Sequence, residues 1–175
     1  MSQRLKLNLG CGDRYAPGWV NVDFGTPHVV DEVVDLRGAL PWSELDVMHV
    51  YMGHVLEHLT LDDCERLLTR LLPCMVYLGE IMVVGPDVLR AERMIADGTF
   101  DFSWGHTLES LRHGGGRWSG DEHMWECNEM KVVDLLTKTG WTDIKTMSID
   151  EVSSYWPVAD RAPRWQCAVT AKRPG

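Results

Sequence analysis

The sequence predicts one α/β domain built on a mostly parallel sheet. Three observations lead there. Strand-like apolar runs alternate with helix-like segments along the whole chain, the pattern of strands joined by crossovers. The first such run, Leu5-Lys6-Leu7-Asn8-Leu9, leads straight into Gly10-Cys11-Gly12, a turn where missing Cβ atoms let backbone approach a ligand. And 175 residues, 45% of them hydrophobic, suit a single compact core.

Taken in order, the first strand covers about Leu5–Leu9, the second Val20–Asp23, the third Val29–Leu36 and the fourth Val47–Met52. A helix follows from Thr60, which suits an N-cap; Leu61, Cys64, Leu68, Leu71 and Met75 recur at three and four residues and give one apolar stripe. Pro73 should end or kink it. Glu80–Val84 is the fifth strand, closed by Gly85-Pro86-Asp87, and Leu89–Ala96 a short helix stopping at Gly98. Residues 99–127 show no periodicity and are rich in Gly, His and Trp, so they are expected to form a lid or substrate-binding insertion. Asn128 caps a further helix with Met130, Val133 and Leu136 on its inner face, and Gly140 supplies the left-handed residue after it. Trp141–Ile149 and Arg164–Lys172 close the chain as strands.

Bulk properties exclude several function classes. No apolar run approaches the ~20 residues of a membrane span, and no signal-peptide core follows Met1-Ser2-Gln3-Arg4. Five cysteines without C-x-x-C spacing indicate neither a disulfide framework nor a zinc knuckle, and a reducing cytoplasm is the expected compartment. A net charge of −9 with no basic cluster argues against a nucleic-acid partner, since phosphate-backbone binding runs on Lys and Arg. No membrane partner is expected either.

The glycine turn alone says that backbone comes close to something, or simply that the chain turns. A dinucleotide fingerprint needs a third glycine, which would fall at Tyr15, and an acidic residue about 20 positions on; Asp23 comes 11 after Gly12. A phosphate-cradling loop is excluded because no Gly-Lys-Ser/Thr follows.

The run Leu7-Asn8-Leu9-Gly10-Cys11-Gly12 resembles the first motif of class I S-adenosylmethionine-dependent methyltransferases. Gly18-Trp19-Val20-Asn21-Val22-Asp23, Val34-Asp35-Leu36 with Leu40-Pro41, His54-Val55-Leu56-Glu57-His58-Leu59, Gly85-Pro86-Asp87, and His123 with Trp125 before Thr139-Gly140-Trp141 extend the likeness over about residues 5–172. Together they resemble the small type 11-like branch. The resemblance implies a Rossmann-like domain spanning 1–175, with a seven-stranded sheet and a C-terminal antiparallel hairpin. It implies S-adenosylmethionine as cofactor: Asn8, Gly10, Cys11 and Gly12 under its methionine end, Asp23 on the ribose hydroxyls, Asp35 and Leu36 beside the adenine, and His54 bordering the sulfonium.

The chain departs from that pattern in three places, of which Val76-Tyr77-Leu78-Gly79, standing where the family often has a Lys-Pro-Gly-Gly turn, bears only on the shape of that turn. Asn8 stands where an acidic residue is common, and an amide supplies no charge. The link Asp13–Trp19 has seven residues, which extended reach roughly 23 Å; returning past a five-residue strand takes about 16 Å. A loop can make that return and a helix cannot, so the first crossover helix should be short or missing.

Two histidine groups remain. His54 and His58 are spaced like a helical metal pair, but no third ligand is near in sequence, so no metal is expected; Glu57 and His58 read as structural. Among His106, His113, Glu122, His123 and Trp125, His123 is the candidate general base, because a neutral imidazole can take a proton from an acceptor hydroxyl. The late tryptophans, Trp118 among them, could wall a pocket for a sugar or be packing. The expected activity is methyl transfer to a small-molecule or glycan-like acceptor. The alternative is a non-catalytic cofactor-binding or scaffold module.

Overall fold

The computed structural model describes residues 4–25, 29–117, 120–152, 155–157 and 163–175; Trp118 lies outside them. Seven strands form one sheet: β1 (Leu5–Leu9), β2 (Val20–Asp23), β3 (Glu32–Val33), β4 (Val47–Gly53), β5 (Met75–Pro86), β6 (Thr142–Met147) and β7 (Gln166–Lys172). Their order is β3-β2-β1-β4-β5-β7-β6. β1 to β5 pair in parallel, and β7 runs antiparallel to both β5 and β6. Four α-helices accompany them among the described residues: α1 (Leu61–Cys74), α2 (Val88–Ala96), α3 (Leu108–His113) and α4 (Glu129–Lys138).

The main core lies between one sheet face and α1 and α4. Leu7, Leu9, Val50, Met52, Ile81, Val83 and Val169 from the strands meet Cys64, Leu67, Leu68, Leu71, Val132 and Leu136 from the helices, all buried. The opposite face carries no α-helix among the described residues. There Ala16, Trp19 and Trp156 lie over Tyr51, Met82, Val84 and Ala168. Lys6 Nζ sits 5.6 Å above the Trp19 ring and 5.4 Å above that of Tyr155. Broad aromatic rings thus cover strands that helices would otherwise shield.

The loop behind the glycine turn has no helix, as the chain-length argument requires. Its backbone groups must find partners elsewhere, and two buried asparagines supply them. Asn8 Nδ2 donates to Arg14 O and to Asn21 Oδ1, both at 2.9 Å. Asn21 Oδ1 accepts from Ala16 N at 2.7 Å, and Asn21 Nδ2 donates to Ala16 O at 3.1 Å and Trp19 O at 3.0 Å. Asp31 Oδ2 anchors this centre, accepting from Asn21 N at 2.8 Å and Asn21 Nδ2 at 2.9 Å.

Several boundaries differ from expectation for identifiable reasons. β3 keeps only two residues of the Val29–Leu36 run, because pairing to β2 extends no further. β5 begins at Met75, directly after α1; between the pairs Val47↔Met75 and His49↔Glu80 the register shifts, with Leu78 in the left-handed region at φ 59°. Pro73 sits inside α1 in its last two residues, where the helix is already ending. The inner face of α4 is Val132, Leu135 and Leu136, with Val133 partly buried against the same core; of the expected inner residues Leu136 and Val133 face the core, while Met130 is 65% exposed. Residues 99–127 contain α3, closed by a reciprocal Thr107–Ser110 capping box. Six residues are too few for periodicity to register. Gly140, at φ 90°, ends α4 as expected.

Candidate functional site

In a parallel sheet ligands gather beyond the carboxyl ends of the strands, where the strand order reverses. Here that point lies between β1 and β4. Gly10 and Gly12 have φ of 63° and 52°, a region that L side chains rarely adopt. The two differ in surroundings. A Cβ on Gly10 would stand 2.5 Å from Val55 Cγ2, whereas one on Gly12 would meet nothing within 4 Å. Gly10 is therefore required by packing, and Gly12 opens onto free space. Cys11 between them is buried, and its thiol is pushed up to about 11, first by burial and then by the charge of Asp23.

Asp23 ends β2 beside this space. Gly12 N donates to its Oδ2 at 2.9 Å, so turn and carboxylate form one unit. Phe24 N at 2.7 Å and Gly25 N at 3.3 Å donate to Oδ1. A carboxylate accepts about four hydrogen bonds, which leaves capacity on Oδ2, and the Gly25 contact is the weakest of the three. Asp35 pairs with Arg37 at 2.9 Å, an interaction that holds its carboxyl below the usual range. The Arg37 guanidinium lies 5.7 Å from the centre of the exposed Phe24 ring, linking this corner to Asp23. Leu36 is buried in the main core, and its carbonyl accepts from Arg70 Nη2 at 3.0 Å. Asn8, the other expected cofactor contact, has its amide committed to the β1–β2 loop.

His54 follows β4 with φ 58°. Such backbone conformations in non-glycine residues cluster at functional sites. Its N–H is tied to Val84 O at 2.8 Å, its ring faces that of Trp165 at 6.3 Å, and His106 lies 5.1 Å from the same indole. Trp165 Nε1 is buried with no hydrogen-bond partner in the structure.

Glu57 is 1% exposed. Its Oε1 lies 3.1 Å from His54 Nδ1, without the alignment of a hydrogen bond. Burial works against the Glu57 charge, but the nearby His54 and His58 imidazoles outweigh it and hold the carboxyl low. The 123–127 strip is bound to this turn. Met124 N donates to Glu57 O at 2.7 Å, and Trp125 Nε1 donates to Leu56 O at 3.0 Å and Leu59 O at 3.1 Å. His58 Nδ1 lies 3.2 Å from Glu122 O and His123 Nδ1 2.9 Å from Leu111 O, and the two rings meet edge to face at 4.9 Å. Burial, the largest influence on His123, lowers its pKa and favours the neutral form.

The structure thus brings Gly12 and Asp23 together, sets Val55, the residue after His54, against Gly10, and carries His123 onto Glu57 and His58. The sequence reading missed this last grouping; Trp165 it knew only as one of the late tryptophans that could wall a pocket or pack. Adjacent Glu57-His58 after the fourth strand was the only local signal; their partner is more than 60 positions away.

No protein-family model matches the chain, and no curated relative does. Solved structures do. An S-adenosylmethionine-dependent methyltransferase from Archaeoglobus fulgidus is 16% identical with a TM-score of 0.62, over 97% of this chain and 86% of that one. One from Methanosarcina mazei is 12% identical with a TM-score of 0.60, over 99% and 94%. Phosphoethanolamine N-methyltransferase 2 of Haemonchus contortus, solved with S-adenosylmethionine, is 13% identical with a TM-score of 0.60; this chain is covered over 99% of its length and spans 50% of that one. The fold is that of the class I S-adenosylmethionine-dependent methyltransferases, with its parallel strands, antiparallel C-terminal pair and single α/β domain.

Proposed function

We propose that the chain binds S-adenosylmethionine beside Gly10–Gly12 and Asp23 and transfers its methyl group to a small-molecule or glycan-like acceptor. The observation that carries the reading is the Gly12–Asp23 unit: an open glycine backbone joined to a carboxylate at the reversal point of the sheet. Asp23 Oδ2 would accept from the ribose hydroxyls, the open face of Gly12 would admit the methionine end, and Phe24 with the Asp35–Arg37 pair would border the adenine. The cofactor brings an activated methyl on a positively charged sulfur, so the protein's part is to align the acceptor and exclude water. Trp165, His54 and His106 would wall the acceptor side, with residues 99–127 as its lid. His123, with Nδ1 engaged by Leu111 O, keeps Nε2 free to take the acceptor's proton.

A thermal-shift titration tests this. At 100 times its dissociation constant, S-adenosylmethionine or its demethylated product should add about 2.7 kcal/mol, which for a chain of this size raises Tm by roughly 5–11 °C. Asp23→Ala should abolish the shift. No shift with either compound refutes the proposal.

A further inference from the structure

We infer that Glu57, His58 and His123 form a seat for one divalent transition-metal cation. One ligand atom from each of the three lies within 4.8 Å of the others. The chemistry of each donor fits. A backbone carbonyl only accepts, so His58 Nδ1 at Glu122 O and His123 Nδ1 at Leu111 O carry the protons, and Nε2 of each ring holds the lone pair. Imidazole ligands are commonly oriented by such a carbonyl on the far nitrogen. The third donor is the buried carboxylate of Glu57, whose Oε1 makes no aligned hydrogen bond although His54 Nδ1 lies 3.1 Å away.

Two imidazoles and one carboxylate suit zinc, iron, cobalt or manganese and leave coordination positions open; an all-oxygen set would be expected for magnesium or calcium. Bonds of about 2.0–2.2 Å put tetrahedral ligands roughly 3.3–3.5 Å apart, so the side chains, whose ligand atoms now lie within 4.8 Å of one another, have to draw together around an ion. The frame for that closure is already tied together through Met124 N to Glu57 O and the Trp125 indole to Leu56 O and Leu59 O.

The seat stands on this geometry alone; its use rests on the methyl-transfer reading. In an open coordination position an acceptor hydroxyl would bind through oxygen and release its proton to solvent water near neutral pH. The lone pair of His123 is then a ligand and not the base. The acceptor would accordingly be an alcohol or phenol.

The test uses the untagged 175-residue chain, stripped with chelator and dialysed. Cobalt(II) is titrated with the visible absorption followed, and zinc by calorimetry. One equivalent should bind. His58→Ala and His123→Ala should each weaken binding by more than the roughly 10–100-fold typical of losing an outer-shell partner, and His113→Ala, at an exposed position outside the cluster, should leave it unchanged. Glu57→Gln adds a third arm if its melting curve shows a folded chain. Failure of the wild type to bind either ion, or one equivalent retained in the His58→Ala/His123→Ala double variant, overturns the inference. A separate S-adenosylmethionine titration keeps the two readings apart: cofactor without cation refutes the metal seat alone, and cation without cofactor refutes methyl transfer and leaves the seat standing.

Discussion

Replacing Asn21 by Leu tests whether side-chain amides stand in for a crossover helix. Leucine keeps the branched shape and a β-strand backbone, and removes both arms of the amide. Ala16 N loses its acceptor and Trp19 O its donor from Asn21. Ala16 O keeps the 3.2 Å bond from Trp19 N, and Asn8 Nδ2 keeps Arg14 O. Two buried backbone groups are thus stranded, each costing about 1–3 kcal/mol, against a gain of about 1.5–3 kcal/mol from burying the larger apolar side chain. Taking the middle of both ranges, with the weakened Asn8 bond added, a net loss of about 2–3 kcal/mol is expected. For this chain length that lowers Tm by roughly 4–12 °C. Urea denaturation at neutral pH measures the loss directly, and a double-mutant cycle with Asn8→Ala should show coupling of about 0.5–3 kcal/mol between the two asparagines. A change under about 1 kcal/mol with no coupling would mean that water satisfies the loop, and the substitution argument would fail.

Three further outcomes follow from the site. Gly12→Ala should fold with only the strain of its positive φ, about 1–2 kcal/mol, yet lose S-adenosylmethionine affinity because its methyl enters the open space; Gly10→Ala should lower Tm more than Gly12→Ala, since its Cβ meets Val55 Cγ2. Paired melting curves and ligand titrations check both. Trp125→Phe keeps the ring but strands Leu59 O, so thermal denaturation should show a loss of about 1–3 kcal/mol. Asp121, fully buried, accepts from Gly115 N and Arg117 N at 3.0 Å and from Arg117 Nη2 at 3.0 Å; burial opposes its charge, but these donors win and hold its carboxyl low. A carboxyl whose folded pKa lies below the unfolded ~3.9 contributes stability above that value, which is lost as pH falls through the folded pKa. Wild-type stability should therefore drop below about pH 4 more steeply than that of Asp121→Asn; parallel acid titrations by circular dichroism would refute the assignment if they superimposed.

How far the sequence was legible depended on the range of each interaction. Thr60 and Asn128 were readable as caps because a cap bonds three residues ahead, to Asp63 N and Lys131 N. The missing first helix was readable from chain length. The full face of α4 was not, because Met130 and Val132 fit three- and four-residue repeats equally well, and only packing against α1 and the sheet decides between them. α3 was too short to show a period. The position of Asn8 beside the glycine turn is local and readable; the partners of its Nδ2, Arg14 O and Asn21 Oδ1, are set by the path of the loop and were not. His123 meets His58 only because Met124 N and the Trp125 indole bring the 123–127 strip onto the turn after β4, a contact no spacing rule encodes.

The glycine turn has a different physical basis here from that of a turn leading into a helix. A helix would satisfy its own backbone and present free N–H groups and a positive end to the ligand. In this chain the connection is a loop, and its polar groups are bound inward by Asn8 and Asn21, so those asparagines shape the turn without offering it charge. What faces the ligand space is Gly12 and the carboxylate it donates to. On the methyl-transfer reading, recognition on this side would then depend on Asp23 and on close backbone approach. The helix-free sheet face follows from the same economy: with no crossover helix after β1, Trp19 at the end of the loop and Trp156 from the C-terminal third close over Tyr51 and Met82 instead. The late tryptophans thus differ in role, with Trp156 covering the sheet, Trp125 fastening the His123 strip, and Trp165, its indole N–H without a hydrogen-bond partner, lying against His54 and His106.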